Sequence, residues 1–103
     1  MKELSFSYDK KEYTLKYTLR TVQQMENAGF VLEELSAKPT VRIPELFYGA
    51  FVANHKGIKR SLVDEIYQNL NDKDRLVSAL VDMYTEARDS LVDEGNVSWT
   101  VSE

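Results

Sequence analysis

Cysteine is absent from the 103 residues, which removes disulfide scaffolds, thiolate zinc sites, iron–sulfur clusters and cysteine nucleophiles together. Histidine occurs once, at position 55, and no serine sits in a G-x-S-x-G elbow, so a nucleophilic triad has no base beside a nucleophile. The four glycines, at 29, 49, 57 and 95, are scattered, and neither a P-loop nor a dinucleotide fingerprint can be assembled from them. No stretch approaches the roughly 20 consecutive apolar residues that span a bilayer. The N-terminal Met1-Lys2-Glu3-Leu4 lacks the apolar core of a signal peptide. These absences predict a soluble cytoplasmic protein that is not an enzyme, with no catalytic residue, cofactor or metal site and no membrane partner.

What is present is an ordinary globular balance, 43% hydrophobic and 29% charged, enough for one small domain and too little for a second core. A single domain over 1–103 is predicted, with 96–103 as an extended or disordered tail. Net charge is −4, which argues against a general binder of nucleic acid, because such a surface needs a basic field to release counterions. The charge is unevenly placed: residues 1–60 carry a net +3 and residues 61–103 a net −7. Such bipolarity can orient subunits head to tail or steer a basic partner, or it can reflect solvated acidic helix faces.

Leu4, Phe6 and Tyr8, then Tyr13, Leu15 and Tyr17, alternate with polar residues on either side of Asp9-Lys10-Lys11-Glu12, the pattern of a β-hairpin with one apolar face. From Thr18 the period changes to helical, with Leu19, Val22, Met25 and Ala28 on one face, a start at Thr18 or Thr21, and Gly29 as the stop. Phe30, Val31 and Leu35 predict a short helical piece before the loop-like Ser36–Thr40. Pro44 is placed in the first turn of a buried helix carrying the uncharged run Leu46–Ala53, with Gly49 admitting a neighbour's backbone and His55 at the end. Ser61 is the predicted cap of a helix bearing Leu62, Val63, Ile66, Tyr67 and Leu70. A helix from Lys73 to about Glu94, about 33 Å long, carries the stripe Leu76, Leu80, Tyr84 or Met83, Ala87 and Leu91. Val97, Trp99 and Val101 then return to period two, the mark of either a third strand or a frayed tail. The class is α+β and mostly helical: an N-terminal hairpin, open to joining by a C-terminal strand, then four to five helices of which the last is long.

Carboxylates at 72, 74, 82, 86, 89, 93 and 94 could attract a hard cation, but Leu76 and Val77 fall where an EF-hand loop needs an oxygen donor and a glycine. A hydrated helix face accounts for them. The compact basic run His55–Arg60 is short and has no interleaved aromatics, as expected of an interhelical loop rather than a nucleic-acid site. Eleven aromatics, six of them tyrosines, are many for so small a core, and Tyr8, Tyr13, Tyr17, Tyr67 and Trp99 are the candidate protein-interaction residues.

The stretch Glu12-Tyr13-Thr14-Leu15-Lys16-Tyr17-Thr18-Leu19-Arg20-Thr21-Val22-Gln23-Gln24-Met25-Glu26, followed by Gly29, resembles the start of small tail assembly chaperones from long-tailed phages and prophages. The order that follows also looks like that family over most of residues 3–94: a loop, a Leu46-Phe47-Tyr48-Gly49-Ala50-Phe51 helix, a short helix and a long acidic one. The resemblance implies a non-enzymatic protein of the host cytoplasm, absent from the mature virion. Its implied partners are the tape-measure protein, which it coats, and the tail-tube protein, which it recruits, with homo-oligomerisation as a further property. The family has no catalytic signature to carry over residue by residue. Two other classes stay open on the residues alone: a structural tail completion or connector protein, and a small regulatory or nucleic-acid-binding protein using Lys59 and Arg60.

Overall fold

In the computed structural model, which describes residues 2–102, the alternating segments form strands β1 (Leu4–Tyr8) and β2 (Lys11–Leu15), paired antiparallel with Phe6 opposite Tyr13. The connection is shorter than the four polar residues predicted. Asp9 and Lys10 alone make the turn, both with positive φ (51° and 67°), the geometry of a type I′ turn whose twist matches the strands. Neither position has the glycine or asparagine that adopts this conformation without strain, which is why the turn type was not legible in the sequence.

Helix α1 (Leu19–Asn27) starts at the first of the two threonines. Thr18 caps it, its Oγ1 accepting from the Thr21 N–H while the Thr21 Oγ1 accepts from the Thr18 N–H. Gly29, at φ +100°, carries the chain out of the helix where a side chain would be strained. A 3₁₀ turn at Leu32–Glu34 follows.

Helix α2 (Pro39–Gly49) differs from its predicted placement at both ends. It begins at Pro39, which takes the first helical position, so Pro44 lies inside the helix and the supposed loop residues Pro39 and Thr40 are helical. The missing Pro44 N–H is tolerated because Thr40, whose carbonyl it would meet, is exposed to solvent. The buried run continues past the helix as tight turns, with Phe51 N–H bonded to the Tyr48 carbonyl and His55 N–H to the Phe51 carbonyl. Arg42, only 15% exposed, binds Glu34 at 2.6 Å and Glu45 at 2.7 Å and so ties the 3₁₀ turn to α2. That pairing holds the Glu34 carboxyl below the usual carboxylate range, chiefly through the hydrogen bond from Arg42.

Helix α3 (Arg60–Asn69) starts one residue before the predicted cap, so Ser61 lies within the first turn and no side chain caps the helix. Helix α4 (Lys73–Asp89) has 17 residues, about 26 Å at the standard rise, and ends in a 3₁₀ turn at Ser90–Val92 rather than running to Glu94. Its inner stripe is Leu76, Leu80, Met83 and Tyr84; Leu91 lies beyond the helix end and is exposed. Residues 93–102 belong to no helix or strand, so among the described residues the sheet has two strands.

The core forms where the apolar face of the hairpin meets α2, α3 and α4. One chain of rings runs from Phe6 to Tyr13 (5.5 Å between centroids), to Phe51 (5.8 Å), to Phe47 (5.0 Å) and to Tyr67 (5.3 Å). A second joins Tyr17, Tyr84 and Phe30. The Tyr17 hydroxyl donates to the Leu46 carbonyl at 2.5 Å, and burial pushes its ionisation well above the ordinary tyrosine range. Among the described residues no buried side-chain nitrogen or oxygen lacks a partner.

The strained turn supplies a direct check. Lys10→Gly relieves the positive φ of 67° and is expected to raise the unfolding free energy by about 0.5–1 kcal/mol in urea denaturation, with the slope unchanged. A loss of stability would show that the turn is not of this type.

Candidate functional site: two exposed apolar surfaces

The five predicted interaction residues are not brought together. Tyr13 and Tyr17 are core residues, closed off from any partner because the hairpin's apolar face is covered by the helices. Tyr8 and Tyr67 are half-buried at the margins of α3. The Tyr8 hydroxyl donates to Glu65 Oε2 at 2.5 Å, and this bond shifts its ionisation to higher pH. Tyr67 rests on Phe47 with Lys73 Nζ 5.6 Å from its ring centre, and burial shifts its ionisation to higher pH as well. Trp99 stands apart, 79% exposed on the C-terminal segment. Six of the eleven aromatics are buried, four are half-buried and only Trp99 is exposed, so the core absorbs the aromatic excess that the sequence pointed outward.

The first apolar surface is a cleft of about 260 Å³ between α1 and α2. Its floor is Met25, Ala28, Tyr48, Gly49 and Val52, and its rim carries Gln24, Glu45 and Arg60. Each rim charge is already engaged: Glu45 by Arg42, and Arg60 by Asp64 at 3.2 Å, with its guanidinium 5.6 Å from the Tyr48 ring centre. The cleft therefore presents apolar area framed by paired charges, and no isolated charge awaits a ligand. Met25, with a flexible thioether, can adapt to differently shaped insertions. Met25 lies on the predicted apolar face of α1 and Tyr48 in the predicted buried run, and Gly49 is the sequence signal that links them. A Cβ there would collide with the Met25 sulfur and methyl, so the glycine admits a side chain and not a neighbouring backbone.

The second surface lies in the last dozen residues, where Leu91, Val92, Val97, Trp99 and Val101 are all exposed. It has a counterpart on the sheet. Thr14 N–H donates to His55 Nε2 at 3.1 Å, Asn54 Nδ2 donates to the Thr14 carbonyl at 3.1 Å, and Lys16 N–H donates to the Ala50 carbonyl at 3.0 Å. The outer edge of β2 is thus closed at Thr14 and Lys16 by the turns after α2, while Glu12, nearer the hairpin turn, keeps its outward backbone groups free among the described residues. His55, read from sequence as a helix-end cation, is a strand-edge acceptor packed on Tyr13. Because Thr14 points its backbone outward, the opposite Ser5 does too, and Ser7 by alternation. The N–H and C=O of Ser5 and Ser7 have no hydrogen-bond partner among the described residues, so the β1 edge is open.

The carboxylates of α4 face solvent, and among the described residues no group of three His, Asp or Glu is placed to hold a metal ion. In the basic run, His55 and Arg60 are occupied within the protein. No helix among the described residues is long and apolar enough to cross a membrane. Residues 1–103 match the family model described as Domain of unknown function (DUF5055). No curated protein and no solved structure matches.

The packing at Gly49 predicts that Gly49→Ala stays within about 1 kcal/mol of the parent stability, because helix propensity offsets displacement of a flexible side chain. The Met25 methyl resonance is expected to shift as the thioether moves. A loss above about 3 kcal/mol would mean that Met25 has nowhere to go.

Proposed function

The chain belongs to the DUF5055 family, a domain of unknown function, and we propose that this member is a tail assembly chaperone of long-tailed phages and prophages. In this reading it acts in the host cytoplasm without catalysis, binds the tape-measure protein, recruits tail-tube subunits and leaves before the virion matures. The observation that carries the reading is the α1–α2 cleft. Its 260 Å³ falls below the roughly 300–1,000 Å³ of small-molecule sites, and it suits one or two apolar side chains of an amphipathic helix better than a metabolite. The order of elements, a hairpin followed by three short helices and a long one, is the order on which the resemblance rests.

Mechanistically, a single anchoring side chain buried in the cleft contributes about 1.5–3 kcal/mol, far too little for a lasting complex. Several copies spaced along one long helical client gain about 10²–10⁴ in avidity without any stronger contact. A tube subunit then displaces them one at a time, because only one weak contact has to be broken at each step. The acidic half of the chain, residues 61–103, offers the incoming subunit a surface of opposite sign to a basic face.

Calorimetric titration of the full chain with helical segments of the cognate tape-measure protein tests this. Val52→Glu, which puts a charge on the cleft floor, is expected to weaken binding about tenfold or more, whereas Asp82→Asn on exposed α4 leaves it unchanged. Equal affinity of all three proteins, or recovery of the chain in stoichiometric amounts from purified particles, would overturn the proposal.

A further inference from the structure

We propose that residues Val97–Val101 are a donor strand that completes the hairpin of a second copy of this chain by adding antiparallel to its open β1 edge. The inference does not use the α1–α2 cleft and stands or falls separately from it. The acceptor is the row of unpartnered N–H and C=O groups at Ser5 and Ser7. The donor alternates Val97, Trp99 and Val101 with Ser98 and Thr100, the period of a strand that is apolar on one face only.

Registered with Trp99 opposite Phe6, the segment sets Val97 against Tyr8 and Val101 against Leu4, extending the half-buried apolar face of β1. Ser98 and Thr100 fall opposite Ser7 and Ser5 on the polar face. Those two pairs each exchange two main-chain hydrogen bonds, satisfying the groups that β1 leaves open. A shift of one residue would turn Trp99 to solvent, so the pattern fixes the register.

The choice of a second copy over the same sheet comes from where the tail begins and from charge. Asp93 and Lys2 line one depression, so the tail leaves the body beside the start of β1. From that end it can run along its own β1 only in parallel. Antiparallel addition brings Asp93 and Glu94 past Tyr8 toward Lys10 and Lys11 at the hairpin turn, an acidic pair against a basic pair. In the structure the segment is off its own sheet: Val97, Trp99 and Val101 are 85%, 79% and 74% exposed. The radius of gyration, 15.7 Å, exceeds the roughly 13 Å of a compact domain of this length. Each copy that donates keeps its own β1 edge free, so the contact is head to tail and propagates into rings or chains.

The cysteine-free chain makes the test direct. Full-length Ser5→Cys and Thr100→Cys proteins, mixed and oxidised gently, are expected to give the mixed disulfide in clear excess over either homodimer, since paired Cα atoms at about 5.5 Å suit a disulfide. Sedimentation equilibrium is expected to show the parent mass rising with concentration, and Trp99→Ser weakening self-association about tenfold or more. A chain ending at Gly95, with its fold checked by circular dichroism, is expected to stay monomeric. A strictly monomeric parent at millimolar concentration, disulfides formed in statistical proportions, or a Ser5→Cys/Thr100→Cys double variant that closes only within one chain would overturn the proposal.

Discussion

The hairpin of this protein exists because the turns after α2 close over one of its two edges. Two strands of five residues are marginal in water, and their apolar face must be covered by something else. Phe51 supplies the cover, meeting both Phe6 and Tyr13 edge to face, with each such pair adding about 0.5–1.5 kcal/mol beyond burial. The same turns supply Asn54, His55 and the Ala50 carbonyl to the outward backbone groups of Thr14 and Lys16. A buried N–H left without these partners would cost about 1–3 kcal/mol, enough to cancel one of the ring contacts. One segment therefore provides both the apolar floor and the polar seal.

The consequence is asymmetry. With β2 closed at Thr14 and Lys16, β1 offers the longer open edge among the described residues, and the exposed aromatic Trp99 lies on a segment with strand periodicity. The cleft between α1 and α2 is a second apolar opening, floored by Met25, which packs onto the bare backbone of Gly49. Neither surface carries unpaired charge in its centre. Both suit contacts that form and release many times, in which affinity comes from repetition along an array.

Much of this architecture is legible in the sequence. The hairpin, a first helix starting at one of two threonines, the Gly29 stop and the long last helix follow from periodicity and capping chemistry, and the structure selects Thr18 as the cap. What misled was context. Pro44 reads as a helix start, but a proline five residues earlier takes that position, and solvent at Thr40 makes an interior proline tolerable. Tyr13 and Tyr17 read as interface residues because aromatic counts exceed what a small core seems to need, yet two chains of edge-to-face rings use them. The cleft was invisible because it depends on which helix faces Gly49, and the closure at Thr14 because Asn54 and His55 reach β2 from some 40 positions away. Local sequence carries no signal for such distant pairings.

Residue-resolved amide hydrogen exchange on dilute full-length protein measures the edge asymmetry itself. Slow exchange is expected at Thr14 and Lys16, whose amides are held by His55 and the Ala50 carbonyl, and fast exchange at Ser5 and Ser7. Uniform protection of all four amides, or uniform lack of it, would contradict a sheet closed at Thr14 and Lys16 on one edge and open at Ser5 and Ser7 on the other.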